Sequence, residues 1–404
     1  MEMERFAGID WASEEHAACV VDGGGGRVRE RMVTHDEDGI AGLCRELVAL
    51  GVARVAIERP DGILVDRLLE AGLTVIAVHP NQAKAARDRY SVARGKSDRF
   101  DAFVLAELAR TDAHRLRAIR PDGDETRALR ALTRTREDLV QTRVELANQL
   151  RAQLEAFWPG GLIFSDVDSP ISLAFLARYP SPADSKRLGP ERLGAWLSRQ
   201  GYSGRKSPEE LLERMRSAPA GRAGAAEARA RRTAVLGLVA ALEPIVGQIA
   251  ELTGQIRAAL AVHPDGAIFA PLFRDPRTAI CPATLIAELG DSRERYPTNA
   301  ALAADAGLSP VAVESGKRRV ASFRRACDKR LRSAWSTLAE STRHWHPWAR
   351  QVYAEAIARG QDHPHAVRTL GRAWARVLWR CWQDRVPYDP AKHGNLNRLL
   401  AAGG

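Results

Sequence analysis

Four carboxylates stand where a sheet-based active site would want them. Asp10 ends an apolar run in Gly-Ile-Asp-Trp-Ala, and Glu58 ends another in Ala-Ile-Glu-Arg-Pro. Asp98 and Asp101 follow in Lys-Ser-Asp-Arg-Phe-Asp-Ala, three residues apart, so both fall on one face of a helix. In an open α/β sheet, sites form beyond the carboxyl ends of the strands, which puts Asp10 and Glu58 on one edge. Four such groups repel one another unless cations intervene, and hard oxygen donors select Mg²⁺ or Mn²⁺. Two ions about 3.5–4 Å apart can activate a nucleophile and stabilise a leaving oxygen in phosphodiester cleavage. Taken singly, each acid has an ordinary role: Asp98 a helix cap, Glu58 a surface residue, Asp101 a solvated helix charge. Their joint placement is what singles them out.

A second candidate lies far along the chain. Ser315 is followed by Gly316 and then by Lys317, Arg318 and Arg319. A serine hydroxyl is a weak nucleophile without a base or metal beside it, and Glu314 is the one neighbouring base. The three cations suit a phosphate and its developing negative charge. On spacing alone, Ser315-Gly316 reads equally as a turn with solvated charges after it. From Lys317 to Arg332 there are eight basic residues and one acid, Asp328. Arg324, Arg325, Lys329, Arg330 and Arg332 extend the run as nucleic-acid-binding candidates, and Arg324, Arg325, Lys329 and Arg332 are expected on adjoining faces of one helix as a phosphate-tracking surface. Trp345-His-Pro-Trp348 is expected in the core, and His363-Pro-His365 at a helix end, with no third ligand at zinc spacing.

The elements that must position these residues follow from the pattern. Residues 5–112 alternate strand and helix: strands at Arg5–Asp10, His16–Val21, Arg27–Thr34, Val52–Glu58 and Thr74–Val78, helices at Asp36–Leu50, Asp61–Ala71, Asn81–Tyr90 and Lys96–Thr111. Asp36 suits an N-cap. The order, hairpin-linked strands and then parallel βα units, is that of ribonuclease H-like domains. Residues 122–156 read as one long charged helix, and the proline-rich 157–225 as short helices joined by loops. Val235, Leu238, Leu242, Ile245, Ile249, Leu252, Ile256 and Ala259 step by three and four, the signature of a coiled coil, with Pro244 expected to kink or interrupt it. Such a seam serves either an arm of paired long helices, within or between chains, or a helix packed on its own domain. Residues 264–390 read as a mainly helical domain with six tryptophans, and 391–404 as a fraying tail.

Composition narrows the class. The 404 residues are 45% hydrophobic and 27% charged, which fits a globular protein of two to three domains. The longest uncharged aliphatic run, Ala234–Leu242, is far below a membrane span, and no signal peptide is evident, so a cytoplasmic protein is expected. Five scattered cysteines exclude a disulfide scaffold and a CxxC zinc module. The net charge of +10 favours a nucleic-acid partner, although only seven of the 60 basic residues are lysine, as a GC-rich genome alone would produce.

The motifs together resemble the DEDD transposases of the insertion sequence 110 family. At the N-terminal end the likeness rests on Gly8-Ile-Asp10, the strand ending in Glu58, His79-Pro80, and Lys96-Ser97-Asp98 with Asp101-Ala102. At the C-terminal end it rests on Ala287-Glu-Leu-Gly290, Ala306-Gly-Leu-Ser-Pro310, Glu314-Ser-Gly-Lys317 and Asp328-Lys-Arg-Leu-Arg332. The resemblance implies a RuvC-like metal-binding domain at 1–118, a long-helix coiled-coil region at 119–262 and a C-terminal transposase domain at 263–390. It implies that Asp10, Glu58, Asp98 and Asp101 hold Mg²⁺ or Mn²⁺ and that Ser315 attacks DNA to form a phosphoserine link. It further implies a guide RNA that pairs donor and target DNA. Because a single Ser315 cuts one strand and joining two duplexes needs several cuts, a homo-oligomer, dimer or tetramer, is expected, with no membrane partner. The family's Pro-Gly-Ile-Gly hairpin is replaced here by Asp275-Pro-Arg-Thr278, where Arg274 and Arg277 are the available cations. The competing reading is a nuclease resembling Holliday-junction resolvases, with water as nucleophile and Ser315 structural.

Overall fold

A computed structural model describes residues 4–90, 97–273, 279–315 and 318–402, without side chains for 270 and 313–319. The chain forms two compact units, 1–122 and 123–404.

The N-terminal unit is built on a mixed sheet. Strands β1 (Arg5–Asp10), β2 (Glu15–Asp22), β3 (Arg27–Thr34), β4 (Val52–Ile57) and β5 (Val75–Ala77) lie in the order β3-β2-β1-β4-β5. The first three are antiparallel neighbours, and β4 and β5 run parallel to β1. Helices α1 (Glu37–Ala49) and α2 (Ile63–Glu70) cover one face, burying Leu43, Leu47, Leu64 and Leu68 against Ile9, Val55 and Val75. Asp36 caps α1 through its side chain, as expected, accepting from the Gly39 amide. On the other face lie α3 (Pro80–Tyr90) and α4 (Asp98–Thr111). Lys96 lies outside the described residues, and α4 begins at Asp98 because the Ser97 side chain accepts from the Phe100 amide. Ser97, not Asp98, is therefore the cap.

Gly8 explains how α4 reaches the sheet. A Cβ placed there would lie 2.1 Å from the Ala102 carbonyl oxygen and 2.2 Å from the Ala106 nitrogen. Backbone meets backbone, which only glycine on the strand and alanines on the helix permit. That approach lays the first turn of α4 beside the end of β1.

The second unit has two long helices as its spine. α5 (Asp124–Phe157) packs lengthwise on α10 (Ala225–Val262). Between them in sequence come four short helices, α6 (Pro170–Arg178), α7 (Pro182–Ser185), α8 (Pro190–Arg199) and α9 (Pro208–Arg216), each with proline in its first turn. The apolar faces of α6, α8 and α9 form one core with Leu150, Leu154, Val235, Val239 and Leu242 of the long pair. A second core gathers Leu129 and Ile256 with α11 (Gly266–Phe269), α12 (Ile280–Leu289), α13 (Asn299–Asp305), α14 (Lys329–Trp345), α15 (Pro347–Ala358), α16 (His363–Asp384) and α17 (Gly394–Ala402). A hairpin of β6 (Val311–Ser315) and β7 (Arg318–Ser322) precedes α14.

Three expectations are corrected. Pro244 neither ends nor splits α10, which runs unbroken for 38 residues. Pro244 and Ala240, whose carbonyl loses its donor, both face solvent, so water satisfies the freed oxygen. The tail does not fray: Leu396 of α17 is buried, and the Tyr388 hydroxyl and His393 Nδ1 lie 2.8 Å apart in a hydrogen bond. Arg324 and Arg325 do not share a helix with Lys329 and Arg332, because Asp328 caps α14 by accepting from the Arg330 and Leu331 amides. The seam on α10 divides in two. Val235, Leu242, Ile249 and Ile256 are buried, whereas Leu238, Ile245, Leu252 and Ala259 are half-buried. α10 is also the one helix among the described residues long and apolar enough to cross a membrane by length and composition, and its buried row packs within the protein.

Gly8→Ala is expected to destabilise the N-terminal unit by about 1–3 kcal/mol or more, because a backbone clash cannot be relieved by a rotamer change. A urea titration checks this; an unchanged midpoint contradicts the account of the β1–α4 contact.

Candidate carboxylate site and basic hairpin

Asp10 closes β1, and Glu58 directly follows β4, the parallel neighbour of β1. Asp98 and Asp101 occupy the first turn of α4. All four acids come to one end of the sheet. Asp101 is only 3% exposed, Glu58 and Asp10 are half-buried, and Asp98 faces solvent. The Asp10 carboxyl is pushed up to about 6, first by burial and then by the charges of Asp101, Asp98 and Glu58, in that order; Arg87 acts the other way.

Arg87, on α3, was not a candidate from sequence. Its guanidinium bridges two of the acids, with Nη2 3.0 Å from Glu58 Oε1 and Nε 2.8 Å from Asp101 Oδ1. The Nε and Oδ1 atoms are both buried. A positive charge thus lies between carboxylates that would otherwise repel. Among the described residues, no three His, Cys, Asp or Glu side chains are gathered tightly enough to hold a metal ion. The donor chemistry suits a hard divalent cation, with Arg87 in the gap between two of the donors. The signal for Arg87 was available in outline, since it follows the buried Ala83 and Ala86 and so borders the inward face of α3.

The loop after Asp10 is pinned by a second pair that sequence reasoning passed over. The Ala12 amide donates to His16 Nδ1 at 3.3 Å, which leaves His16 Nε2 to donate to His35 Nδ1 at 2.8 Å. Burial, and then His35, lowers the affinity of His16 for a second proton. Trp11 packs against both imidazoles, and the Arg59 guanidinium lies 4.4 Å from its ring centre.

In the second unit, Ser315 pairs with Arg318 across the hairpin, so it is the last residue of β6 before the two-residue connection. Gly316 and Lys317 lie outside the described residues, as do Asp275-Pro-Arg-Thr278 and Arg274, and the side chains of Glu314, Ser315, Arg318 and Arg319 are not described. Of the remaining basic candidates, Arg330 is already engaged: Nε lies 2.9 Å from Glu137 and Nη2 2.6 Å from Asp138, both on α5. Arg332 lies over the Phe323 ring. Arg324 donates through Nε to the Ser309 carbonyl at 3.2 Å. Glu288, in the Ala287-Glu-Leu-Gly290 motif, is buried and paired with Arg134 of α5 at 2.7 Å, a tether between helices. Four of the six C-terminal tryptophans, Trp335, Trp348, Trp374 and Trp382, are core residues, and His363 opens α16 behind the Asp362 cap.

Comparison with known proteins bears on both ends of the chain. A family model described as "Transposase", of the DEDD IS110 type, matches residues 7–159, and "Transposase IS116/IS110/IS902 family" matches residues 278–354. The "Mini-circle putative transposase for IS117" of Streptomyces coelicolor is 31% identical over 398 residues, 95% of each chain. The "Putative transposase y4uE" of Sinorhizobium fredii is 34% identical over 201 residues, 48% of this chain and 56% of that one. The "Insertion element IS116 uncharacterized 44.8 kDa protein" of Streptomyces clavuligerus is 27% identical over 395 residues, 96% of each.

The raised Asp10 carboxyl has a stability consequence. The folded metal-free protein holds the Asp10 proton more tightly than the unfolded chain does. Ionising Asp10 therefore costs stability as pH rises from 3.8 to about 6, and the cost is constant above that. Asp10→Asn should melt like the parent near the low end of that window and at higher temperature than the parent above it, without added metal. Thermal melts across the window check this. An equal difference at every pH contradicts it.

Proposed function

The chain belongs to the IS110 family of transposases and recombines the DNA of an insertion sequence, and from that premise we propose that strand transfer runs through Ser315 as nucleophile, assisted by a divalent-metal site of Asp10, Glu58, Asp98 and Asp101. The observation that carries the second half is the half-buried Asp10 amid three further carboxylates: burial first, and then their charges, raise its proton affinity, and the crowding calls for a cation. Mg²⁺ or Mn²⁺, when bound, would polarise a phosphodiester oxygen and offset developing charge. The four acids would hold it, with the Arg87 guanidinium turning aside from Glu58 and Asp101. We read the N-terminal unit, by its strand order, as RuvC-like, ahead of a long-helix region at 119–262 and a transposase domain at 263–390.

Ser315 Oγ forms a bond to phosphorus as its proton is removed. The bond from phosphorus to the leaving deoxyribose oxygen breaks, and that oxygen takes up a proton. Attack by a deoxyribose hydroxyl of another strand reverses the step and frees the serine. Basic residues of the hairpin and of the segment before α14, Lys317, Arg318, Arg319, Arg324, Arg325, Lys329 and Arg332, hold the flanking phosphates. Pairing of donor and target is assigned to a guide RNA encoded by the element.

The test is covalent capture. Supercoiled plasmid carrying the element's ends, incubated with the protein and Mg²⁺ and stopped with detergent, should yield DNA bearing protease-sensitive protein. Ser315→Ala should abolish that species, and Asp10→Asn should reduce its yield by two orders of magnitude or more. Cleavage without linked protein, unchanged in Ser315→Ala, would establish water as the nucleophile instead.

One serine cuts one strand, so joining two duplexes needs several copies. The half-buried row Ile245 and Leu252 of α10 offers the contact, since Leu242 belongs to the chain's own core and Ile249 is buried. Ile245→Glu with Leu252→Glu should leave a folded protomer whose light-scattering mass on DNA falls to that of one chain. A parent protein that is itself monomeric on DNA would sink the oligomer.

A further inference from the structure

A cavity of about 180 Å³ opens at the foot of the β6–β7 hairpin. Its walls come from the residues entering β6, those leaving β7, and one face of α16. His365, Arg368 and Arg372 line it at spacings of three and four, which align them on that face, and Arg324 faces them from the segment after β7. Among the described residues, no carboxylate lines it. None of the three arginines forms an ion pair with any described residue. This contrasts with Arg330, which is spent on two acids of α5.

Two of the cations are held in place. Arg324 is fixed by its Nε bond to the Ser309 carbonyl, which leaves its terminal nitrogens unspent. The Arg368 guanidinium lies 4.9 Å from the Phe323 ring centre, and Arg332 lies 5.0 Å from the same ring. Phe323 stays 46% exposed between them. Guanidinium forks match the oxygens of a phosphate, and the space is below the roughly 300 Å³ where drug-sized ligand sites begin. It suits a phosphodiester and its waters better than a free nucleotide.

We infer that this cavity seats a backbone phosphate of the DNA strand being recombined, held by Arg324, Arg368 and Arg372. The seat rests on the reading of Ser315 as nucleophile only for its register. From Val311 to Ser315 the strand rises roughly 14 Å, at about 3.4 Å per residue. The seated phosphate and the one at Ser315 are therefore held apart by about the length of β6, along the same bound strand. The hairpin then spans a fixed length of DNA between a clamp and a nucleophile.

The experiment compares salt dependence of binding by the full chain for a 30-base-pair DNA duplex and, separately, a 30-nucleotide RNA hairpin. Arg368→Gln with Arg372→Gln should lower the magnitude of the DNA log–log slope by about 0.9, the value of one lost phosphate contact, and weaken DNA binding several-fold. Arg214→Gln, on the exposed side of α9, should change neither. Thr369→Asp keeps every arginine and places a carboxylate in the cavity; it should weaken DNA binding likewise and covers the case in which the double variant does not fold. An unchanged DNA slope in folded variants, or a change confined to RNA, overturns the seat. Covalent capture separates the two readings. If linked DNA forms and the slope is unchanged, the seat alone fails. If the slope falls and no linked DNA ever forms, the seat stands and the Ser315 reading fails.

Discussion

Like charge gathered at the end of one strand is the constraint from which the N-terminal unit follows. Asp10, Glu58, Asp98 and Asp101 come from two strands and a helix and would drive those elements apart if nothing offset them. Two features hold them together. One is mechanical: at Gly8 the backbone of β1 touches the backbone of α4, so the helix cannot retreat without losing the buried alanines 102 and 106. The other is electrostatic: Arg87 contributes a charge between Glu58 and Asp101. Burial, and then the residual imbalance of charge, lets Asp10 hold its proton to about pH 6. A site in which repulsion is only partly relieved favours a cation more strongly than one already neutral.

The second unit distributes its charges differently. Along α5, basic and acidic side chains are consumed in tethers: Arg134 to Glu288, and Glu137 and Asp138 to Arg330. These fix α12 and α14 to the long helix, and with them the hairpin that precedes α14. By contrast, Arg324 after the hairpin and Arg368 and Arg372 on α16 form no ion pair with any described residue. A basic chain therefore separates into cations that build and cations that are left for a ligand, a distinction that net charge does not carry.

Much of this was legible in the sequence, and the failures are instructive. Strand and helix order in residues 5–112 followed from periodicity, because alternation and three-four spacing are local properties of a half-buried element. The proline-rich stretch resolved correctly into short helices. The position of Pro244 misled, since its cost depends on whether the freed carbonyl faces water, a tertiary fact. A run of like charge hides the cap within it, Asp328, which leaves Arg324 and Arg325 outside α14. Arg87, His16 and His35 escaped notice because nothing in their spacing announces them; their roles come from partners 14 to 29 residues away. Arg368 and Arg372 are hidden for the same reason, lying 36 and 40 residues beyond the end of the basic run at Arg332 that they join in space.

The most direct test of the central claim, that the four acids are a cation site whose charge Arg87 meanwhile offsets, is a calorimetric titration of the full chain with Mn²⁺ near neutral pH. The account predicts saturable binding in the parent, its loss in Asp10→Asn, and tighter binding in Arg87→Gln, where no guanidinium has to be displaced. Binding that is indifferent to Asp10→Asn, or that weakens in a folded Arg87→Gln protein, would contradict it.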